Sequence, residues 1–387
     1  MTERGEQKSP QIPQRILVLR DFCIRAFGGD CTRCGNVCPA DAIALPEAPE
    51  EPLKLSATTA KARSALSLPA IDADACIACG ICQGICDAFS ATGETLTDIH
   101  AAARRAALAE RGREVIVTCR ENASDDPASN VIAVSCLAML PMELWTQLLC
   151  EGTNLSVALD LGRCEGCPAG KRGAEGLFTQ AIAAAEEASG AQVGFSETLP
   201  QKSDEGFFAS LAHAGGSGER RDAFSDILEE IKDAASGNRR RRTDAHLHDL
   251  MEQQERRTSD ARLKVGGSTQ FNAYASGGRA RKIMHPKRRM LLAATAANPA
   301  AGDAIAFAVS ATGPACDDRL ACTKACPTGA RLPNAQDGTL SYDPLFCIGC
   351  GECVKVCPTG SVTLTALSAN EATCYDGERK PREESCQ

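Results

Sequence analysis

The chain has 387 residues, of which 43% are hydrophobic, with a formal net charge of -8 at pH 7 and 22 cysteines. A net negative charge gives no reason to expect nucleic acid as a partner. No apolar run approaches the roughly 20 residues that span a bilayer, and the polar residues 1–14 lack the apolar stretch of a secretory signal. Dense disulfide frameworks are typical of short secreted chains. We therefore expect a protein of the reducing cytoplasm whose cysteines, many of them at ligand spacing, bind metal.

Residues 1–14 are expected to be a flexible tail, and residues 15–100 an N-terminal unit with two cysteine motifs. The first motif contains Cys23, Cys31, Cys34 and Cys38, followed by Pro39, and the second contains Cys76, Cys79, Cys82 and Cys86, followed by Asp87. Residues 46–70 are rich in Pro, Glu, Ala and Ser and predict an insertion between the motifs. Asp87 replaces the usual proline, which we expect to cost turn rigidity but no ligand.

Residues 111–195 alternate β-branched runs with helical segments, which predicts a small parallel α/β domain. Strands are expected at 114–118, 131–134 and 155–161, and helices at 141–151 and 175–188. Cysteines follow all of these strands: Cys119, Cys136, and the pair Cys164 and Cys167. Because the carboxyl ends of parallel strands share one edge of a sheet, these thiols are expected to converge there. Cys150, inside the first helix, is interpreted as a small buried hydrophobe.

Residues 196–286 are expected to be a helical and flexible linker, with an amphipathic helix at 219–235. Residues 287–370 form a second unit with two cysteine motifs, entered by a helix at 286–297, and residues 371–387 a polar tail. The motifs of this unit contain Cys316, Cys322 and Cys326, followed by Pro327, and then Cys347, Cys350, Cys353 and Cys357, followed by Pro358.

The last motif reads C-x2-C-x2-C-x3-C-P, the spacing of bacterial 4Fe-4S ferredoxins, in which the fourth cysteine ligates the other cluster of a pair. Applied to both units, this rule predicts four ligand sets. We name them site 1 (Cys23, Cys31, Cys34, Cys86), site 2 (Cys38, Cys76, Cys79, Cys82), site 3 (Cys326, Cys347, Cys350, Cys353) and site 4 (Cys316, Cys322, Cys357). We expect 4Fe-4S clusters at sites 1, 2 and 3.

Site 4 lacks one thiolate, because Arg319 stands where the second cysteine of its motif would lie and a guanidinium is a poor ligand. The alternatives are a 3Fe-4S cluster, a site without metal, or a 4Fe-4S cluster with a substitute ligand. The candidate substitutes are Asp317, Asp318, Cys374 and Cys386. An open coordination position at this site would suit an alternative function, an enzyme subunit in which the cluster acts on substrate.

The central site, which we define as Cys119, Cys136, Cys164 and Cys167, also leaves alternatives open. Four thiolates fit a 2Fe-2S cluster, a 4Fe-4S cluster or a structural zinc, and the thiols could also carry no metal. Zinc in place of iron would indicate a scaffold or assembly protein.

The terminal units resemble bacterial dicluster ferredoxins of the polyferredoxin type, most specifically over 347–358. The central region is similar to the delta subunit of methyl-viologen-reducing hydrogenases, through Cys119, Cys136 and the loop from Gly162 to Cys167. That subunit is a small α/β domain whose cluster links hydrogenase to heterodisulfide reductase. The expected fold is therefore α+β, with two ferredoxin-like dicluster units flanking a small parallel α/β domain.

Iron–sulfur clusters move single electrons, so the expected function is a multi-cluster relay between oxidoreductase partners, without an active site of its own. No Ser/His/Asp or Cys/His constellation stands out in the sequence. The resemblances imply redox partners such as a hydrogenase, a formate dehydrogenase or a heterodisulfide reductase-like complex.

Overall fold

The structure is a computed structural model, and the residues that it describes belong to one compact unit. The described ranges are 15–46, 68–109, 114–124, 127–196, 199, 282–334 and 337–375. The predicted tail at 1–14, the predicted helix at 219–235 and Cys386 lie outside these ranges.

In the described N-terminal residues, two antiparallel strand pairs accompany the cysteine motifs. The elements are β1 (Ile16–Val18), α1 (Arg33–Val37), β2 (Ile43–Ala44), β3 (Ala70–Ile71), α2 (Ile81–Ile85) and β4 (Phe89–Ala91), with 3-10 turns at Arg20–Phe22 and Ile24–Phe27. β1 pairs with β4, and β2 with β3. α1 and α2 each end at the fourth cysteine of a motif, because Cys38 (ψ 114°) and Cys86 (ψ 131°) have extended backbones. An extended residue leads the chain away from the helix, so the fourth cysteine is separated from the other three cysteines of its motif.

The middle of the chain is a four-stranded parallel sheet, which confirms the predicted parallel arrangement. Its strands are β5 (Val115–Cys119), β6 (Val131–Val134), β7 (Leu155–Ala158) and β8 (Gly194–Ser196), in the order β6-β5-β7-β8. The surrounding helices are α3 (Leu96–Ala109), α4 (Met142–Cys150), α5 (Leu161–Gly166) and α6 (Ala174–Ser189), with 3-10 turns at Leu137–Met139 and Gly170–Arg172. Every residue of β5 and β7 is buried, which explains why these strands do not alternate apolar with polar residues.

The end of the third strand is the element boundary in this region that differs most from the prediction, and the other predicted boundaries differ by at most one residue. The third strand was expected to reach residue 161 but ends at Ala158, and a short helix follows it. The Asp160 carboxylate caps that helix by accepting a hydrogen bond from the Gly162 N–H at 3.0 Å. Cys164 therefore lies in α5 and not in a loop.

The described C-terminal residues form two further antiparallel pairs around the second pair of motifs. The elements are α7 (Pro286–Ala297), β9 (Ala306–Thr312), α8 (Ala321–Ala325), β10 (Arg331–Pro333), β11 (Leu340–Tyr342), α9 (Glu352–Lys355), β12 (Val362–Ser368) and α10 (Ala369–Thr373), with 3-10 turns at Pro299–Asp303 and Pro344–Phe346. β9 pairs with β12, and β10 with β11. α7 has the bounds that the sequence predicts, since a proline in the first turn needs no N–H donor there.

The largest hydrophobic cluster joins parts of all three regions. It contains Ile81 of α2, Ile99 of α3, Trp145 of α4 and Met290 of α7. α3 begins inside the predicted N-terminal unit (15–100) and extends beyond it to Ala109, and it packs against α4 and β6. The N-terminal motifs and the central sheet therefore share a core. Among the described helices, none combines the length and the apolar character needed to cross a membrane.

Candidate metal centres

The thiols of site 1 come together from both N-terminal motifs. Burial raises the pKa of Cys34 to about 11, and the nearby thiols of Cys86, Cys31 and Cys23 add to that rise. Cys23 is also buried, and backbone N–H groups, the first from Arg25, donate to its sulfur and oppose the effect of burial on its pKa. Mutual influence among all four thiols indicates that they face one small volume.

Site 2 shows the same pattern with the motifs exchanged. Burial raises the pKa of the Cys82 thiol, and the neighbouring thiols of Cys79, Cys76 and Cys38 raise it further. Cys38 belongs to the first motif and the other three to the second. The fourth cysteine of each N-terminal motif thus lies beside the set to which the spacing rule assigns it.

A backbone donor recurs beside the candidate ligands. Gly80 has φ 75° and precedes Ile81, whose N–H donates to the Cys79 sulfur and lowers its pKa against the larger effect of burial. The same arrangement recurs at Cys350, Gly351 and Glu352. Such donors stabilise negative charge on sulfur, and therefore also on a cluster that the sulfur holds.

Site 3 surrounds a small cavity that all four of its cysteines line. Burial raises the pKa of Cys350 to about 12, and the thiols of Cys326, Cys347 and Cys353 contribute to the rise. Cys326 ends α8 with an extended backbone (ψ 112°), as Cys38 and Cys86 do in the N-terminal motifs.

Site 4 is less complete, as the sequence predicts. Cys322 is buried, and Cys316 is near enough to raise its pKa in addition to burial. Cys357 packs against the same apolar cluster as Cys322. Hydroxyl groups of Thr359 and Ser361, each 3.6 Å from the Cys357 sulfur, lower its pKa to about 6 because they stabilise the thiolate.

The residue at the missing ligand position is turned to solvent. The Arg319 side chain is 70% exposed and forms an ion pair with Asp317 at 2.7 Å. Asp318 lies 3.9 Å from the Cys316 sulfur, whereas the Cys374 sulfur, at the end of α10, lies 3.3 Å from the Asn370 carbonyl oxygen. Of the candidate substitute ligands in the described residues, Asp318 is thus the one seen in contact with a cysteine of site 4.

The central site lies at the carboxyl edge of the parallel sheet. Its cysteines, Cys119, Cys136, Cys164 and Cys167, all line one cavity. Burial raises the pKa of Cys136 to about 12, and the thiols of Cys79, Cys119 and Cys167 add to the rise. Because Cys79 belongs to site 2, the central site and site 2 are neighbours.

Cys150 is not among these sets. It is buried in α4, in a cluster of apolar residues with Ala188 and Leu291. This environment agrees with the interpretation of Cys150 as a small hydrophobe.

Asp87 has contacts that the sequence did not suggest. Its carboxylate lies 3.0 Å from His285 Nδ1 and accepts the Lys287 N–H at 3.2 Å. The side chains of Asp87 and His285 are only 10% and 6% exposed, and Lys287 Nζ donates to the Gly84 carbonyl. Asp87, which the sequence predicts only to reduce the rigidity of a turn, therefore holds the start of α7 beside site 1.

Nowhere in the described ranges are three Cys, His, Asp or Glu side chains placed to hold one metal ion. Thiolates that surround a cavity, all able to act as soft ligands, are what an iron–sulfur cluster requires.

Comparisons with known proteins bear directly on sites 3 and 4. Residues 315–361, which contain every cysteine of these two sites, match the family described as "4Fe-4S dicluster domain". The chain is 41% identical over 59 residues to "Probable anaerobic dimethyl sulfoxide reductase chain YnfG" of Escherichia coli (strain K12), a match covering 15% of this chain and 28% of that protein. It is 47% identical over 56 residues to "Iron-sulfur protein" of Rhodospirillum rubrum, covering 14% and 28%.

The chain thus matches little more than a quarter of the length of these curated relatives. No solved structure shows significant similarity to it. Residues 315–361 are therefore similar to 4Fe-4S dicluster domains, and this similarity supports an iron–sulfur electron-transfer role for the chain.

Proposed function

We propose that this protein is a multi-cluster iron–sulfur electron carrier that relays single electrons between oxidoreductase partners. The observation that carries the proposal is the grouping of cysteines from separate motifs into sets that face one another, at sites 1, 2 and 3. In this proposal, sites 1, 2 and 3 each hold a 4Fe-4S cluster through four cysteines, and site 4 holds a cluster through Cys316, Cys322 and Cys357. When bound, such clusters accept and release one electron at a time.

The contacts between sites support a continuous relay. Cys136 of the central site lies within electrostatic range of Cys79 of site 2. α7 connects site 1 with site 3. The positive charge of Lys287 lowers the pKa of the Cys86 thiol against the larger effect of burial, and Arg288 donates a hydrogen bond to the Cys347 carbonyl. The chain's own contribution is to hold the ligands in fixed positions and to keep all of them buried or half-buried.

For the central site we propose an iron–sulfur cluster and not zinc. Site 3 lies in the segment that matches a 4Fe-4S family, and the central site has the same composition, four cysteines that line one cavity. A tetrahedral zinc ion is held by ligand atoms about 2.3 Å away and needs no such cavity. Cys119, Cys136, Cys164 and Cys167 are the ligands in this proposal.

The names of the relatives favour a role in a larger redox system. One is a reductase chain and the other an iron–sulfur protein. We propose that the donor and acceptor are oxidoreductases of the cytoplasm, with hydrogenase, formate dehydrogenase and heterodisulfide reductase-like complexes as the first to test.

Iron counting tests the proposed function. Protein purified without oxygen, or reconstituted with iron and sulfide, is expected to be brown and to contain about 16–20 irons per chain if its clusters hold four irons each. Elemental analysis and EPR spectroscopy of the reduced protein give the count and the cluster types. Two or fewer irons per chain after reconstitution would reject the proposal, and stoichiometric zinc without iron would favour a scaffold.

Removing one central cysteine tests the assignment of that site. Cys164→Ala is expected to lower the iron content by about two or four atoms, for a 2Fe-2S or a 4Fe-4S cluster, because three thiolates would remain. Cys150→Ala is the matched control, since Cys150 is buried among apolar residues and should leave the iron content unchanged. Loss of zinc with unchanged iron in Cys164→Ala would show that the central site is a zinc site.

A further inference from the structure

Arg331, the first residue of β10, is a buried cation close to sites 3 and 4. It is 1% exposed. Its Nε donates to Ser310 Oγ at 2.9 Å and its Nη1 to Thr312 Oγ1 at 2.8 Å. The guanidinium also lies over the Tyr342 ring, 4.8 Å from the ring centroid. These contacts fix the plane of the guanidinium but contribute no negative charge.

The charge of Arg331 has no carboxylate partner in the described part of the chain. The Nη2 atom is buried and has no hydrogen-bond partner of normal geometry. A buried charge without a counter-charge is strongly unfavourable. An anion at the neighbouring sites would supply that counter-charge.

A cluster held by the cysteine sites would be such an anion. Arg331 lines the cavity of site 3 together with its cysteines. Burial raises the pKa of Cys353 in site 3 and of Cys322 in site 4, and the positive charge of Arg331 opposes the rise at both. The guanidinium thus acts electrostatically on one ligand of each site.

We propose that Arg331 is the buried counter-charge of the clusters at sites 3 and 4 and that it raises their reduction potentials. This inference rests on the proposed iron–sulfur function. A cluster held by thiolates is anionic, and on reduction it gains one electron from the donor protein with no bond made or broken. The reduced cluster carries the greater negative charge, so a nearby buried cation stabilises it more than the oxidised cluster. Arg331 therefore places a positive charge beside the clusters and is not a ligand.

An EPR-monitored redox titration of the full chain, purified without oxygen, tests this inference. In Arg331→Met, the ratio of reduced to oxidised cluster at site 3 is expected to fall about tenfold at a fixed potential, which corresponds to a midpoint about 59 mV lower for a one-electron couple. The site 3 signal is the one that disappears in Cys350→Ala. Arg331→Lys keeps the charge and should keep most of the potential.

Arg319→Met is the matched control. It removes the same charge from the same segment, but the Arg319 side chain is 70% exposed and paired with Asp317. Water and salt screen that charge, so the midpoint of site 3 should move much less than in Arg331→Met.

The possible failures can be told apart. If Arg331→Met keeps its iron and its site 3 midpoint is unchanged, the role of Arg331 is wrong while the iron–sulfur function stands. If the unaltered protein binds no iron, the proposed function itself fails. If Arg331→Met does not assemble clusters, Arg331→Gln is compared with Arg331→Lys: a lower midpoint in the neutral variant supports the inference, and equal midpoints overturn it.

Discussion

Replacing Cys350 by alanine is expected to abolish the 4Fe-4S cluster of site 3. The cavity of that site is lined by four cysteines, and the variant would leave three of them. The iron content should fall by about one atom if a 3Fe-4S cluster survives and by about four if none does. Iron and sulfide analysis, together with EPR spectra before and after reduction, measures the loss.

Cys150→Ala is also the control for this variant. Both changes remove one cysteine sulfur, but Cys150 packs in an apolar cluster and is not among the residues that line the cavity of site 3. The control should keep every cluster signal. Full iron content and an unchanged spectrum in Cys350→Ala would contradict the assignment of Cys350 as a ligand.

Replacing Asp87 by alanine is expected to lower the free energy of unfolding by about 3 kcal/mol, because it removes one partner from a buried polar group. His285 and the Lys287 N–H would lose their acceptor while remaining buried. α7 would be held less firmly beside site 1, so the cluster of site 1 should also be lost sooner. The measurement is the midpoint of guanidinium denaturation, followed by circular dichroism and by the visible absorbance of the clusters.

Asp30→Ala controls for the loss of a carboxylate near the same site. Asp30 pairs with Arg25 at 3.7 Å, but its side chain is 89% exposed. An exposed ion pair contributes about 0–1 kcal/mol, so this variant should unfold close to the midpoint of the unaltered protein. Equal midpoints for Asp87→Ala and Asp30→Ala would show that the Asp87 contact contributes little.

The sequence predicted the elements whose signals are local. The β-branched runs at 114–118 and 131–134 predicted two strands that are parallel neighbours in the sheet, and the proline at 286 predicted the first residue of α7. The third strand was predicted too long, because the capping role of Asp160 depends on a hydrogen bond to Gly162 that hydrophobicity does not reveal.

The candidate ligands were also predicted from spacing alone. Cysteines with two residues between them can reach one cluster whatever the rest of the chain does, since the motif sets their separation. The crossing of Cys38 and Cys86 to opposite sets followed from the same rule, and both cysteines lie beside the sets to which it assigns them.

The sequence by itself thus determined which residues are candidate ligands and that a parallel sheet separates the two pairs of motifs, because spacing and apolar patterning act over a few residues. Only the tertiary structure decided that Asp87 fastens α7, that Cys136 lies near Cys79, and that Arg331 is buried beside two cysteine sites. Each of these features joins residues that are distant in the chain, and the burial and charge that define them arise only when those segments pack together.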